Sequence, residues 1–257
     1  MTTSGFEVRK VKAINPITSG AAWVVLEGDI DAQPGQFVMV WLPNISEKPF
    51  SIASMNPFCL LVMDVGPLSH ALHQLKVGDL IWIKGPLGRG FTVDGECLLL
   101  VGGGYGSAPL LPLAKLAKAG DKKVTVCLGA NNGDSILLAD AFIDLGCKVN
   151  VATEDGSLGI QGLVTLLAEN AIRNSKFDIV CACGPVGMLS ALAAMCNVNR
   201  LNYQLSWEAH MRCGMGLCGS CEVPASYDPS LPPGWLACYD GPVFYQKWNQ
   251  DQGIEET

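Results

Sequence analysis

Residues 97–114 read CLLLVGGGYGSAPLLPLA, 18 consecutive positions without a charge. At that length an apolar stretch can span a bilayer, so its reading decides between a membrane helix and a folded core. Four glycines (102, 103, 104 and 106), two prolines (109 and 112) and Ser107 interrupt it. Those residues break a spanning helix but suit a strand, a glycine loop and a helix start. The stretch therefore reads as the first strand-loop-helix unit of an α/β sheet, and no membrane association is expected.

Downstream the same unit recurs. Strand candidates Leu98–Val101, Val124–Leu128, Val149–Ala152 and Ile179–Cys183 alternate with helix candidates Ser107–Ala119, Ser135–Leu145, Gly162–Ala171 and Val186–Cys196. Such alternation predicts right-handed crossovers and a parallel sheet over residues 97–200. Upstream the pattern differs. Phe6–Ile14, Ala21–Leu26, Phe37–Leu42, Pro49–Ser54, Leu60–Asp64 and Leu80–Lys84 are short strand candidates. Turn signals such as Asn15-Pro16, Gln33-Pro34-Gly35 and Gly78-Asp79 separate them, and one short helix fits Leu68–Leu75. This predicts an antiparallel β-barrel over residues 1–96. Residues 201–257 are rich in Cys, Gly and Pro, show little periodicity, and predict a small third domain that cannot bury much core of its own.

Hydrophobic residues make up 49% and charged residues 16%, with mean hydropathy +0.28, which excludes a disordered chain or a coiled coil. The net charge is 17 − 24 = −7 with no Lys/Arg run, which argues against nucleic acid and anionic membranes as partners. Met1 to Lys12 lacks the apolar core of a secretion signal, and the cysteine count, 11, is odd. Cys97, Cys127, Cys147, Cys181 and Cys196 sit singly in apolar runs and read as small core residues in a reducing cytoplasm.

Four cysteines differ. Cys213, Cys218 and Cys221 follow the spacing C-x4-C-x2-C, and sixteen residues separate Cys221 from Cys238. This is the pattern of a plant-type [2Fe–2S] cluster. The intervening Gly214, Gly216, Gly219 and Ser220 are small enough for backbone N–H groups to approach the sulfurs. Zinc is the competing reading, but it favours two spaced C-x2–4-C pairs; free thiols are the other.

Nucleotide signals are weaker one by one. Gly102-Gly103-Gly104 lies between a strand and a helix, where glycines admit a phosphate or a flavin ring to free N–H groups. A plain tight turn explains it equally well. Cys183-Gly184-Pro185 and Glu154-Asp155-Gly156-Ser157 close two further strands, where open α/β sheets bind ligands. Carboxylates at 154 and 155 can accept ribose hydroxyls and repel a 2′-phosphate; turn or cap roles compete. Lys48-Pro49-Phe50-Ser51 combines a cation, a fixed φ, an aromatic ring and a hydroxyl, and reads otherwise as a β-edge. His70, His73 and His210 form no metal pattern, and no hydrolase triad stands out.

Taken together, these motifs resemble the electron-transfer subunit of type B, NAD-linked dihydroorotate dehydrogenase, within the ferredoxin reductase superfamily. The resemblance covers essentially the whole chain. It also rests on Pro34-Gly35-Gln36-Phe37, on Gly85-Pro86-Leu87-Gly88-Arg89-Gly90-Phe91, and on Asp240-Gly241-Pro242-Val243-Phe244. It implies a flavin barrel, an NAD domain and a [2Fe–2S] domain, with FAD, NAD and the cluster as cofactors. FAD would be bound by Lys48, Pro49, Phe50 and Ser51, by Leu61, Val62 and Met63, and by Leu68 and Ser69. Nucleotide binding would extend to Gly102, Gly103, Gly104, Glu154, Asp155, Cys183, Gly184 and Pro185, with Cys183 near the nicotinamide. Cys213, Cys218, Cys221 and Cys238 would ligate the cluster. No side chain is implied as catalytic acid, base or nucleophile. Three departures from the family pattern stand out: Lys48 replaces an arginine, Leu61-Val62-Met63 lacks a Tyr-Arg pair, and Ser69 replaces a threonine.

The implied activity is electron transfer in pyrimidine biosynthesis. The FMN of a catalytic partner oxidises dihydroorotate to orotate, and electrons pass through this chain's cluster and FAD to NAD⁺, in a heterotetramer with two of each subunit. Two other readings are a stand-alone or other-complex NAD(P)H:acceptor reductase and a zinc-stabilised binding module. Some reductase complexes put aspartate at the first cluster position, which Cys213 does not match. Trp207, Met211, Tyr239, Phe244, Tyr245 and Trp248 surround the cysteines and are expected to form a docking face for the partner, the competing reading being that they pack the loop.

Overall fold

The computed structural model describes residues 5–248. Six strands close the first barrel: β1 (Glu7–Thr18), β2 (Ala21–Leu26), β3 (Phe37–Leu42), β4 (Ser46–Met55), β5 (Phe58–Met63) and β6 (Leu80–Leu87). Their order is β1-β2-β5-β4-β3-β6, with β6 returning to β1, and all pairings are antiparallel. Period-2 alternation fills the interior. Phe58, Leu60 and Val62 of β5 point inward with Val24, Leu26, Val38, Val40, Ile52, Ile81 and Ile83. Each such side chain contributes about 1.5–3 kcal/mol of burial. Helix α1 (Pro67–Gln74) covers one end through Leu68 and Leu72.

The expected turn at Asn15-Pro16 is instead part of β1. Pro16 pairs with Ala22, and the register slips between Pro16 and Thr18. A proline is tolerated at such an irregularity, and the chain reverses at Ser19-Gly20.

The second sheet has seven strands in the order β10-β9-β8-β7-β11-β12-β13. These are β7 (Cys97–Gly103), β8 (Lys123–Ala130), β9 (Lys148–Thr153), β10 (Ile160–Gln161), β11 (Ile179–Cys183), β12 (Asn202–Ser206) and β13 (Val243–Gln246). Helices α2 (Leu110–Ala119), α3 (Ala139–Asp144), α4 (Val164–Asn174) and α5 (Val186–Val198) form the crossovers. The uncharged stretch 97–114 becomes β7, a short 3-10 turn at Gly104–Ser107 and the start of α2. Among the described residues no helix is long and apolar enough to cross a membrane.

The sheet does not stop near residue 200. β12 pairs parallel with β11, and β13 pairs antiparallel with β12. Residues 207–242, which carry the cysteines, form a loop between these two strands. That loop shares the core of the sheet: Val223, Leu231, Trp235 and Ala237 pack with Leu99, Val101, Tyr203 and Leu205. Its buried Asp228 accepts a 2.8 Å hydrogen bond from Tyr203 Oη and another from the Ser230 amide. The segment is therefore held by borrowed apolar packing and a buried polar anchor, which its own composition does not reveal.

Candidate functional site: a cavity beside a cysteine loop

A cavity of about 420 Å³ lies between the outer wall of the barrel and the C-terminal edge of the sheet. The alternation that sends Val62 inward turns Leu61 and Met63 outward onto this wall. There Leu61 joins Ala21, Ala53, Ala108 and Leu137 in a small apolar cluster between barrel and sheet. β4 contributes Ser46, Lys48, Pro49, Phe50 and Ser51; the start of α1 contributes Gly66 to Ser69. From the sheet side come Tyr105 and Gly106 after β7, Cys183 and Gly184 after β11, and Ser206 to Ala209 at and after β12. Cys183 lies in register with Gly102 on one side and Ser206 on the other. Three adjacent parallel strands thus end at one cavity, where such folds place ligands.

Most barrel residues named from sequence line this cavity: Lys48, Pro49, Phe50, Ser51, Leu61, Met63, Leu68 and Ser69. Val62 does not, because its side chain is in the barrel core. The Ser69 hydroxyl is occupied locally. It accepts from the Val65 and Gly66 amides at 3.0 and 2.9 Å and donates to the Gly66 carbonyl, building the turn into α1. On the sheet side Cys183 and Gly184 line the cavity, whereas Gly102, Gly103, Gly104 and Pro185 do not. Packing accounts for Gly103: a Cβ there would come within 2.8 Å of Pro185 Cδ and 2.9 Å of Met188 Sδ. Glu154 and Asp155 also lie outside the cavity, at the end of β9. Asp155 is committed to its turn, accepting from Ser157 N at 2.9 Å and Ser157 Oγ at 2.6 Å. Those bonds hold its carboxyl below the usual carboxylate range. No bond is formed by the Glu154 side chain among the described residues.

Sequence reasoning missed Tyr105, Ser206, Trp207, Glu208 and Met211 as cavity residues. The alternation of Tyr203, Leu205 and Trp207 was the available signal for a strand ending there. Tyr105 Oη donates to Glu208 across the cavity wall. Burial, with that carboxylate beside it, pushes the Tyr105 phenol well above its ordinary range. Burial also pushes the Cys183 thiol up to about 12, so it stays a neutral thiol in the cavity. The Trp207 indole N–H is buried without a partner among the described residues.

Met211 lines the cavity, and Cys213 follows two residues later; two residues span at most about 7 Å. Gly214, Gly216 and Gly219 adopt φ of +69°, +79° and +70°, the left-handed turns that fold the loop back on itself. Amides then face sulfur: Gly216 N lies 3.1 Å from Cys238 Sγ, and Met215 N lies 3.5 Å from Cys213 Sγ. Cys221 and Cys238 are buried, Cys213 is half-buried and Cys218 is exposed. The Ser220 hydroxyl and amide pull Cys218 down to about 6, and amides beginning with that of Met215 outweigh burial to lower Cys213. Burial pushes Cys238 up to about 12. The Cys238 amide in turn donates to Cys221 Sγ at 3.5 Å. Among the described residues no three His, Cys, Asp or Glu side chains converge as ligands of one metal ion.

The aromatic density around this loop is mostly internal. Trp207 and Met211 are buried, Phe244 packs on Trp235 with ring centroids 6.0 Å apart, and Tyr245 Oη donates to Asp94. Of the residues expected to form a docking face, Tyr239 is the one substantially exposed, at 63%. Met215 and Leu217, at 37% and 80%, also reach solvent beside Cys218.

Residues 208–247 match the family described as the iron-sulfur cluster binding domain of dihydroorotate dehydrogenase B. A relative from Thermococcus kodakarensis is 42% identical over 219 residues, covering 84% of this chain and 86% of its own length. One from Methanocaldococcus jannaschii is 36% identical over 221 residues, covering 86% and 82%. Both carry the name probable dihydroorotate dehydrogenase B (NAD(+)), electron transfer subunit. Among solved structures, an NADH-dependent reduced ferredoxin-NADP oxidoreductase studied for flavin-based electron bifurcation superposes with TM-score 0.81 at 30% identity, over 95% of this chain and 90% of its own. The chain belongs to the family of dihydroorotate dehydrogenase B electron transfer subunits.

Proposed function

We propose that this chain relays electrons between NAD(H) and the FMN of a dihydroorotate-oxidising partner, using FAD in the cavity and a [2Fe–2S] cluster on Cys213, Cys218, Cys221 and Cys238. FAD exchanges a hydride with nicotinamide and single electrons with an iron–sulfur cluster, which makes it the converter between the two. The observation that carries the reading is the continuity of the two sites: the segment lining the cavity at Met211 runs directly into the first cysteine.

The chain's own residues hold and shield these groups. Lys48 supplies the cation for a pyrophosphate, with one compact charge where the family's arginine offers a fork. The start of α1, Gly66 to Ser69, lines the same cavity as Lys48. Leu61, Met63 and Phe50 form an apolar wall that keeps water from the ring system. The unpartnered Trp207 indole N–H is a donor for a ring heteroatom. Cys183 and Gly184 leave room for nicotinamide at the strand ends, and the neutral thiol adds no charge there. Glu154 is the carboxylate free to accept ribose hydroxyls and disfavour a 2′-phosphate. The exposed rim of Met215, Leu217 and Tyr239 beside Cys218 is the face that meets the partner, in an assembly with two copies of each subunit.

The test is to combine the purified chain with a dihydroorotate dehydrogenase catalytic subunit and follow dihydroorotate-dependent NAD⁺ reduction. Activity should appear only in the mixture. A chain that reduces dyes with NADH yet never couples to that subunit would instead support a reductase with another acceptor, its structural relative being named an NADH-dependent oxidoreductase.

A further inference from the structure

Lys84 belongs neither to the cavity nor to the cysteine set, yet it is one of the most buried charges in the molecule. Its side chain is 10% exposed, and its Nζ lies 2.9 Å from Glu47 Oε1 and 3.2 Å from the carbonyl oxygen of Cys213. The contact with Glu47 is an ion pair whose angles fall short of a hydrogen bond, so the aligned partner of Lys84 is the Cys213 carbonyl. Phe6 closes the site, with Nζ 5.2 Å from its ring centroid.

A second feature ties the same two regions together. Lys84 on β6 lies in register with Met39 on β3. Gly214, next to Cys213, approaches that Met39 so closely that a Cβ would lie 2.9 Å from Met39 Cγ and 3.2 Å from Leu87 Cδ1. The loop that begins at Cys213 is therefore seated on barrel strands β3 and β6.

We infer that the buried Lys84, paired with the partly exposed Glu47, anchors the first cluster ligand to the barrel and sets the cluster's reduction potential. This rests on the cluster reading above. A buried ammonium needs compensation, and an ordinary structural lysine would find it in water or in a carboxylate alone. Here the ammonium contacts both a carboxylate and the backbone carbonyl of a thiolate-bearing residue. An iron–sulfur cluster gains negative charge on reduction, so a nearby cation favours the reduced form and a nearby anion opposes it. The pair is thus a positioning device with a signed electrostatic effect.

The signs make the test. The full-length protein with both cofactors is titrated electrochemically, reading the reduced cluster by electron paramagnetic resonance and flavin by absorbance. Lys84→Met leaves the Glu47 carboxylate unbalanced and should lower the cluster midpoint. Glu47→Gln leaves the ammonium unbalanced and should raise it. Each shift should change the reduced-to-oxidised ratio at the wild-type midpoint at least about threefold, where tenfold corresponds to 59 mV for one electron. The double variant should fall between the two, and Lys84→Arg should stay near wild type. A purely structural clasp would move both single variants in the same direction or neither, and either result overturns the proposal. Should Lys84→Met fail to fold, the near-isosteric Glu47→Gln decides alone, because an unchanged or lowered midpoint contradicts the inference. Absence of any cluster signal in the wild-type protein would overturn the cluster reading itself.

Discussion

The cavity draws its walls from segments scattered between Phe37 and Pro242, while three of the four cysteines lie within nine residues. The cavity is a by-product of long-range architecture: a barrel wall with Leu61 and Met63 turned outward, and three sheet strands ending together at Gly102, Cys183 and Ser206. The cysteine loop is shaped by its own sequence, through left-handed glycines and amide-to-sulfur contacts. One site should therefore survive damage to the other, although the two adjoin at Met211 and Cys213.

The largest separation is expected for Cys238→Ser. The variant should lose most of its iron and keep its FAD. Coupled activity with the partner should fall by more than the 10–100-fold typical of losing a supporting partner of a metal ligand. Iron and sulfide assays against flavin absorbance read both sites in one sample. Gly214→Val comes next. A β-branched side chain at φ +69° costs about 1–2 kcal/mol from the backbone alone and would also press on Met39. The iron-to-flavin ratio and the thermal midpoint should both fall, with Gly214→Ala milder. Retention of full iron in Gly214→Val would mean that the loop is not seated on the barrel.

Lys48→Ala probes the cavity alone. Losing an exposed charge-assisted contact to phosphate should weaken FAD about tenfold, near the low end of 1.5–3 kcal/mol, with iron unchanged. FAD affinity equal to wild type would remove Lys48 from the site. The smallest effect belongs to the edge of the sheet. Glu154→Ala should raise the relative rate of flavin reduction by NADPH about two- to fivefold, a surface-charge effect of about 0.5–1 kcal/mol. Asp155→Ala should have a smaller effect, since that carboxylate is turned into its own loop by Ser157.

What could be read in the sequence follows the same division. The cysteine spacing, the barrel strands and the strand-helix alternation are local patterns, and β2, β3 and β11 fall where periodicity predicts them. β12 and β13 are five and four residues long, and each has meaning only beside a partner strand distant in sequence. Their absence from the reading hid both the seating of residues 207–242 in the sheet core and the cavity roles of Trp207 and Glu208. Composition suggested an aromatic docking face, but an aromatic count cannot distinguish rings packed inward, such as Trp207, from rings left outside, such as Tyr239. Gly102 and Gly103 show the converse. Their pattern suits phosphate binding, while the space around Gly103 is taken by Pro185 and Met188.

Electrons pass between the cavity and the partner through the cysteine loop, in either direction. Rapid anaerobic mixing with NADH tests this route most directly, monitored at flavin and iron–sulfur wavelengths in the wild type and in Cys238→Ser, each then challenged with the partner subunit. The wild type should show flavin bleaching followed by cluster bleaching and then reduction of the partner's FMN. Cys238→Ser should bleach its flavin at a similar rate and pass nothing on. Reduction of the partner's FMN at the wild-type rate by the cluster-free variant would show that electrons bypass the cysteine loop.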